Sequence, residues 1–223
     1  MSYLQSLPRD GRERWNRVHE AYQSGALPVS DPGALSGSPA VEVLSHHGVA
    51  EMICPGLVVL DIGVGLGGMS KYLQESLCIV DALDVADAAE KTVASCARKF
   101  YAARDIADLP EDEYDLALSM IVSQHMCDAD LRKQVKYVVR ALKPGGLFSL
   151  HLAGATDAEN NNIPGLIPQG KDGAMCRTED YALELIGGAV DGAYTAEVTA
   201  RRMEFPQFGS YWYFIHIRRG TDG

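Results

Sequence analysis

Little in these 223 residues suits a membrane, a secreted scaffold or a polyanion. No uninterrupted apolar run approaches the roughly 20 residues that a bilayer span requires. The first ten residues lack a basic segment followed by an apolar core, so a secretory signal is not expected. Cysteine is scarce: Cys54, Cys78, Cys96, Cys127 and Cys176 are odd in number, widely spaced and never in a Cys-x-x-Cys pair, which argues against a disulfide framework and against a zinc site. Cations are outnumbered, 20 Lys and Arg against 30 Asp and Glu, and a formal charge of −10 opposes binding to nucleic acid or an anionic membrane surface. The short basic clusters, Arg9 to Arg17 and Arg201-Arg202 with Arg218-Arg219, read as solvated faces. What these absences leave is a cytoplasmic globular chain with no metal centre. At 47% hydrophobic residues it can bury a sizeable core.

Within that frame the order of elements is legible. Trp15, Val18, His19 and Tyr22 recur at helical spacing, and Gly25 with Pro28 stops the pattern, so a short amphipathic helix is expected over Arg12 to Gln23. A Gly, Pro and Ser-rich stretch from Gly25 to Pro39 reads as a linker able to move. A second helix is expected after Ser38, carrying Val41, Val43 and Leu44 to His47, with Gly48 as its stop. Beyond Pro55 apolar runs at Leu57 to Ile62, Cys78 to Val85, Tyr114 to Ile121 and Gly146 to Leu152 alternate with helical stretches near Gly68 to Ser76, Ala86 to Ala97 and Ala129 to Leu142. Strand and helix in alternation predict a parallel sheet covered on both faces, with ligands beyond the carboxyl ends of its strands. Ala153 to Arg177 is too long and polar for a routine connection and reads as a functional loop. A last helix begins after Thr178, and Tyr194 to Arg202 with Ser210 to Arg218 alternate as an antiparallel edge pair.

The most informative stretch is Val58 to Met69, where an apolar run ends in Asp61 and breaks into glycines. Gly63, Gly65 and Gly68 fit the dinucleotide pattern, while Gly63, Gly65 and Gly67 fit a tighter one, so the glycines leave two cofactor classes open. Three acids favour one of them. Asp84 closes the second strand 21 residues after Gly63, where a carboxylate can accept ribose hydroxyls, and Asp105 is expected at the end of the third strand. Asp61 discriminates, because a carboxylate beside the glycine turn would repel a pyrophosphate and attract a cation.

With these residues in place the chain resembles the class I S-adenosylmethionine-dependent methyltransferases, over about Val41 to Arg218. Asp61, Gly63, Gly65 and Gly67 match the first motif of that family, Asp84 and Val85 the ribose-binding pair, and Asp105 and Ile106 the adenine-contacting pair. Leu109-Pro110 with Tyr114 to Ser119 matches the entry to the fourth strand, and Leu142 to Gly146 the turn into the fifth. The resemblance implies an α/β, Rossmann-like, doubly wound seven-stranded sheet with an antiparallel last strand. It also implies S-adenosylmethionine as cofactor, with Met120 lining its site. Residues 1–40 would then be a helical extension and candidate lid, and residues 41–223 the cofactor-binding domain.

Methyl transfer demands alignment more than acid-base work, since the leaving group is a neutral thioether. His125, after the fourth strand, is the candidate base if the acceptor holds its proton tightly. Gln124 beside it departs from the two histidines common in the family. His151, inside the fifth strand, is a further candidate for substrate contact. Asn-Pro-Pro-Tyr, the mark of nucleic-acid amine methylation, is missing where Ser119-Met120-Ile121-Val122 stands, so a small-molecule acceptor is expected, oxygen ahead of nitrogen. The rival readings are a nicotinamide oxidoreductase on the same turn and a non-catalytic binding module.

Overall fold

A computed structural model describes residues 11–26, 40–154, 163–164, 175–190, 194–205 and 210–221. They divide into two compact units, Met1–Asp108 and Leu109–Gly223. Among the described residues no helix is long and apolar enough to cross a membrane.

In the first unit β1 (Val58–Ile62), β2 (Ile79–Asp84) and β3 (Lys99–Ala102) form a parallel ladder, β1 on β2 and β2 on β3. Val59, Leu60 and Ile62 are wholly buried, as are the β2 residues Ala82 and Leu83 to within 2%. Such near-continuous apolar runs are what a strand covered on both faces requires. Four helices accompany them: α1 (Gly11–Gln23), α2 (Ala40–His47), α3 (Gly68–Glu75) and α4 (Ala89–Val93). Gly48 ends α2 as expected, at φ 70, with Gly48 N–H donating to Ser45 O and Val49 N–H to Leu44 O. Of the residues on α2, Val41 is half exposed, and Leu44 and His47 are buried. The helix expected over Ala86 to Ala97 shrinks to α4. Its second half is spent turning Arg98 back to β2, where the guanidinium donates to both oxygens of buried Asp81 at 2.9 and 2.7 Å.

Helix α1 packs into this unit. Trp15 lies on a cluster of Val64, Ala82, Ala86, Ala89 and Val93, and Val18 meets Ala21 and Leu66. His19 is buried with Nδ1 3.0 Å from the Thr92 hydroxyl, and burial pulls its pKa down to about 4, so it stays neutral. Tyr22 leaves the stripe and is exposed. The expected row of three aromatic rings therefore reduces to Trp15 and His19.

In the second unit β4 (Tyr114–Ser119) runs parallel to β5 (Leu142–Ala153), β5 antiparallel to β9 (Ser210–Arg219), and β9 antiparallel to β8 (Ala196–Phe205). The helices are α5 (Asp128–Ala141) and α6 (Glu179–Val190). Lys143 to Gly146, expected as a turn before the strand, is a bulge within β5: Tyr114 pairs with Leu142 and Leu116 already with Leu147. A Cβ on Gly146 would come within 2.9 Å of the Lys143 and Tyr114 carbonyl oxygens, so that corner admits glycine alone. Most of the expected loop Ala153 to Arg177 lies outside the described residues, but it contains a small antiparallel pair, β6 (Ile163–Pro164) with β7 (Met175–Cys176). Across the chain the strands are ordered β3-β2-β1-β4-β5-β9-β8. This is the seven-stranded, Rossmann-like α/β sheet with an antiparallel last strand.

Candidate functional site

The carboxyl end of β1 opens directly into the glycine turn. Gly63, Gly65 and Gly67 all have positive φ, at 74, 52 and 81, a region that side chains with a Cβ avoid. Gly67 then caps α3, whose first turn presents backbone N–H groups. Asp61 is 2% exposed, and its Oδ2 accepts a 2.5 Å hydrogen bond from Ser70 Oγ on α3. Asp84, 6% exposed, closes β2 in register one residue beyond the Ile62–Leu83 pair, and its Oδ1 accepts the Ala86 N–H at 2.8 Å. The backbone of Gly65 and Val64 also hydrogen-bonds to Asp84. The first strand, the turn and the second strand therefore converge on two acids, as the sequence suggested.

Both acids are electrostatically expensive. Burial pushes the Asp61 carboxyl from 3.8 up to about 6 against the pull of its Ser70 hydrogen bonds. Asp84 is likewise raised to about 6, by burial first, with the backbone donors opposing and the neighbouring Asp61 charge adding to it. Their donors are a hydroxyl and backbone N–H groups, and among the described residues no Lys or Arg bridges either one. Two buried carboxyls of like sign beside a glycine turn form a site that a cation completes and a pyrophosphate would oppose. Ser70, which holds the Asp61 carboxyl, is a residue that the sequence analysis does not single out. A hydroxyl one turn into the helix after the glycines was the signal for it.

The remaining expected cofactor residues divide. Val85 follows Asp84 and is 41% exposed, an apolar side chain left open at the mouth of the turn. Ile106 is buried. Asp105 is corrected: it does not end β3 but lies three residues past Ala102 in a 3-10 segment, Ala103–Asp108, exposed and beside the Arg104 guanidinium at 3.5 Å. Beyond the strand end Arg104 and Arg12 both turn to Asp87, and Arg104 reaches it at 2.5 Å. In the second unit Met120 directly follows β4 and is half buried.

After Met120 the backbone is strained. Ile121 holds φ 53, a left-handed conformation that is a genuine outlier for a β-branched residue. That conformation is held by its N–H, which donates to His151 Nδ1 at 3.0 Å. His151 is 2% exposed, stacks on Trp212 at 4.7 Å between centroids, and has its pKa drawn down to about 3, chiefly by burial and secondarily by the neighbouring His125. Its Nε2 lies 3.2 Å from Gln124 Oε1, and Gln124 Nε2 lies 3.2 Å from His125 Nε2. His125 itself is exposed at the end of the 3-10 turn Ser123–His125. Ser123 pins that turn, donating to Gln134 Oε1 at 2.9 Å and standing 2.7 Å from Ser119 Oγ. Thus His125 and His151, read from the sequence as separate candidates, belong to one hydrogen-bonded row through Gln124.

Residues 60–150 match the family described as a methyltransferase domain. An uncharacterized methyltransferase of Synechocystis is 35% identical over 101 residues, which are 44% of this chain and 48% of that protein. The chain spans about half the length, or less, of the curated relatives it matches. Among solved structures, the Burkholderia thailandensis 1,6-didemethyltoxoflavin-N1-methyltransferase, with its substrate and S-adenosylhomocysteine bound, superposes with a TM-score of 0.58 at 21% identity, over 96% of this chain and 93% of that one. The 4+2 cyclase SpnF superposes with a TM-score of 0.62 at 14% identity, over 82% and 81% of the two chains. At such identities the likeness is one of fold.

Proposed function

We propose that this chain, whose residues 60–150 match a methyltransferase domain, belongs with the class I S-adenosylmethionine-dependent methyltransferases and carries the methyl group of that cofactor to a small-molecule acceptor, to oxygen in preference to nitrogen. The pair of buried acids at the glycine turn supports this most directly, since a cofactor with a sulfonium, an ammonium and no phosphate is the one that gains from both. Asp61, Gly63, Gly65 and Gly67 would hold its charged end. Asp84 would take the ribose hydroxyls with Val85 beside it, Asp105 and Ile106 would contact the adenine, and Met120 is proposed as a further cofactor-binding residue. Bound, the cofactor supplies an activated methyl group whose displacement leaves a neutral thioether. The protein's part is to align the acceptor and exclude water, which by proximity alone contributes on the order of 7 to 11 kcal/mol. His125, beyond β4, is proposed for the acceptor side. Residues 1–40 are proposed as the helical extension over the cofactor domain, and the cytoplasm as the working compartment.

Because the same fold also serves a cyclase, binding and chemistry need separate tests. Calorimetry with S-adenosylmethionine, S-adenosylhomocysteine and NADH should give binding of the first two only, and transfer of labelled methyl to components of a metabolite extract should follow. Binding of NADH alone would sink the assignment. A pH series adds a sharper check. Above about pH 6 both acids are ionised, and Asp61 meets the cation and Asp84 the ribose hydroxyls without losing a proton. Below it each must release one, so affinity for S-adenosylmethionine should fall as pH drops through 6, by up to about tenfold per acid per pH unit. Affinity that stays level from about pH 7.5 to 5, a range on both sides of those pKa values, would remove Asp61 from the cation site.

A further inference from the structure

The row from Ile121 to His125 has a direction that its atoms leave no freedom to reverse. A backbone N–H can only donate, so His151 Nδ1 must accept from Ile121. An imidazole that accepts at Nδ1 carries its proton on Nε2, and the only role left to Nε2 is to donate to Gln124 Oε1. With its oxygen turned to His151, Gln124 has its amide nitrogen turned to His125, and that nitrogen has no lone pair to offer. His125 Nε2 is therefore an acceptor. An Nε2 proton on His125 would meet the amide protons of Gln124 head to head.

From this row we propose that Gln124 and His151 are positioning residues that hold His125 as the neutral Nδ1–H tautomer, so that His125 is not a general base and the acceptor must arrive with its nucleophilic lone pair already exposed. The strained Ile121 fixes the first donor of the row, and the stack of His151 on Trp212 and Phe214 keeps the second ring from rotating. Burial of Gln124 at 6% exposure and of His151 at 2% excludes the water that could otherwise reverse the polarity. A base would need a bare nitrogen that becomes N–H on taking the proton. At Nε2 that product is blocked by Gln124, and at Nδ1 the position is already protonated. Taken with the preference for oxygen proposed above, the acceptor class that follows is an acid oxygen, a carboxylate or a phenol or enol acidic enough to ionise in neutral water. Its lone pair forms the new C–O bond as the C–S bond breaks, with no proton to remove. An unactivated alcohol is excluded. Only this consequence rests on the methyl-transfer reading; the tautomer itself does not.

The test reads the tautomer on the full chain labelled with 15N-histidine, without cofactor or acceptor, from long-range 15N–1H correlations at neutral pH. His125 should give a protonated, pyrrole-type Nδ1 and a pyridine-type Nε2. Gln124→Glu places a carboxylate between the two rings, accepts from both, and should move the His125 proton to Nε2. Gln124→Leu removes the direction and should leave a mixture, with His151 unchanged. A structural role alone would not invert the pattern between the Glu and Leu variants. A wild-type His125 with its proton on Nε2, or protonated on both nitrogens, overturns the tautomer whatever the methyl-transfer assay shows. In a paired assay, carboxylates and acidic phenols should be methylated and simple alcohols not. Methylation of alcohols overturns the acceptor class, and methylation of nothing counts against the proposed function while the tautomer stands on its own spectrum.

Discussion

Asp61→Asn should make the chain more stable at neutral pH while weakening its hold on S-adenosylmethionine. The folded-state carboxyl sits near 6 against an ordinary 3.8, raised by burial. A raised acid contributes no penalty at low pH, where it is protonated in both states. As pH climbs from about 4 to about 6 the unfolded chain ionises first and stability is lost. Roughly two pKa units correspond to about 3 kcal/mol, fully lost above pH 6. Asparagine keeps an oxygen for the Ser70 hydroxyl and removes the charge, though its own amide protons need partners, so a gain of about 2 kcal/mol is expected. The neighbouring Asp84 should also relax downward, since the Asp61 charge is one cause of its rise. Binding moves the other way, by about 1 to 3 kcal/mol or five- to hundredfold, for loss of a charge-assisted contact. Urea midpoints of wild type and variant should differ at pH 7 and converge below pH 4. A variant less stable than wild type at neutral pH, with cofactor affinity unchanged, would show that Asp61 is merely a well-satisfied strand-end acid. Stability rising while affinity falls is the mark of a group kept for its ligand rather than for the fold.

Legibility from the sequence followed the range of the forces involved. The β1 run, the glycines and α3 are local, set by an apolar stretch, positive φ and a helix start within twelve residues, and Asp61 and Asp84 fell where the pattern put them. Errors arose where a distant partner decided the local shape. Asp105, expected at the end of the third strand, lies beyond it in a 3-10 segment where Arg104 reaches Asp87, 17 residues back. The helix after Asp84 was drawn too long because nothing in Ala94 to Ala97 announces that Arg98 must return to Asp81. On the acceptor side the residues His125 and His151 were visible, but their roles were not. What joins them is a glutamine amide whose orientation is fixed by an Ile121 backbone proton 30 residues from His151, and no spacing rule encodes that.

Arg177→Ala should be the most destabilising single change in the second unit. The Arg177 side chain is wholly buried, and its guanidinium is saturated with acceptors: Nη2 reaches Asp128 Oδ1 at 2.9 Å and Met126 O at 2.7 Å, Nε reaches the same carboxylate at 3.1 Å, and Nη1 reaches Met175 O at 3.2 Å. The other oxygen of Asp128 takes the Tyr181 hydroxyl. Arg177 also joins Gly154 in a parallel bridge, its N–H donating to Ala153 O, so one residue ties the end of β5 and β7 to the first turn of α5. Truncation strands a carboxylate and two carbonyls. Removing one partner of a buried pair costs about 3 to 5 kcal/mol, and the lower part of that range applies because Asp128 is 21% exposed and water can reach it. Against a total stability of about 5 to 15 kcal/mol, such a loss should lower the thermal midpoint by roughly 6 to 12 degrees at this chain length, about 2 to 4 degrees per kcal/mol. Arg177→Lys, which keeps the charge and loses the fork, should recover part of it. Adding Asp128→Asn to Arg177→Ala should recover more than it does alone, since the stranded charge is then gone. Urea unfolding of the four chains forms a double-mutant cycle. Additive losses would mean that the guanidinium serves the carbonyls alone, whereas a coupling of a kcal/mol or more would identify the ion pair as what fixes the turn carrying His125.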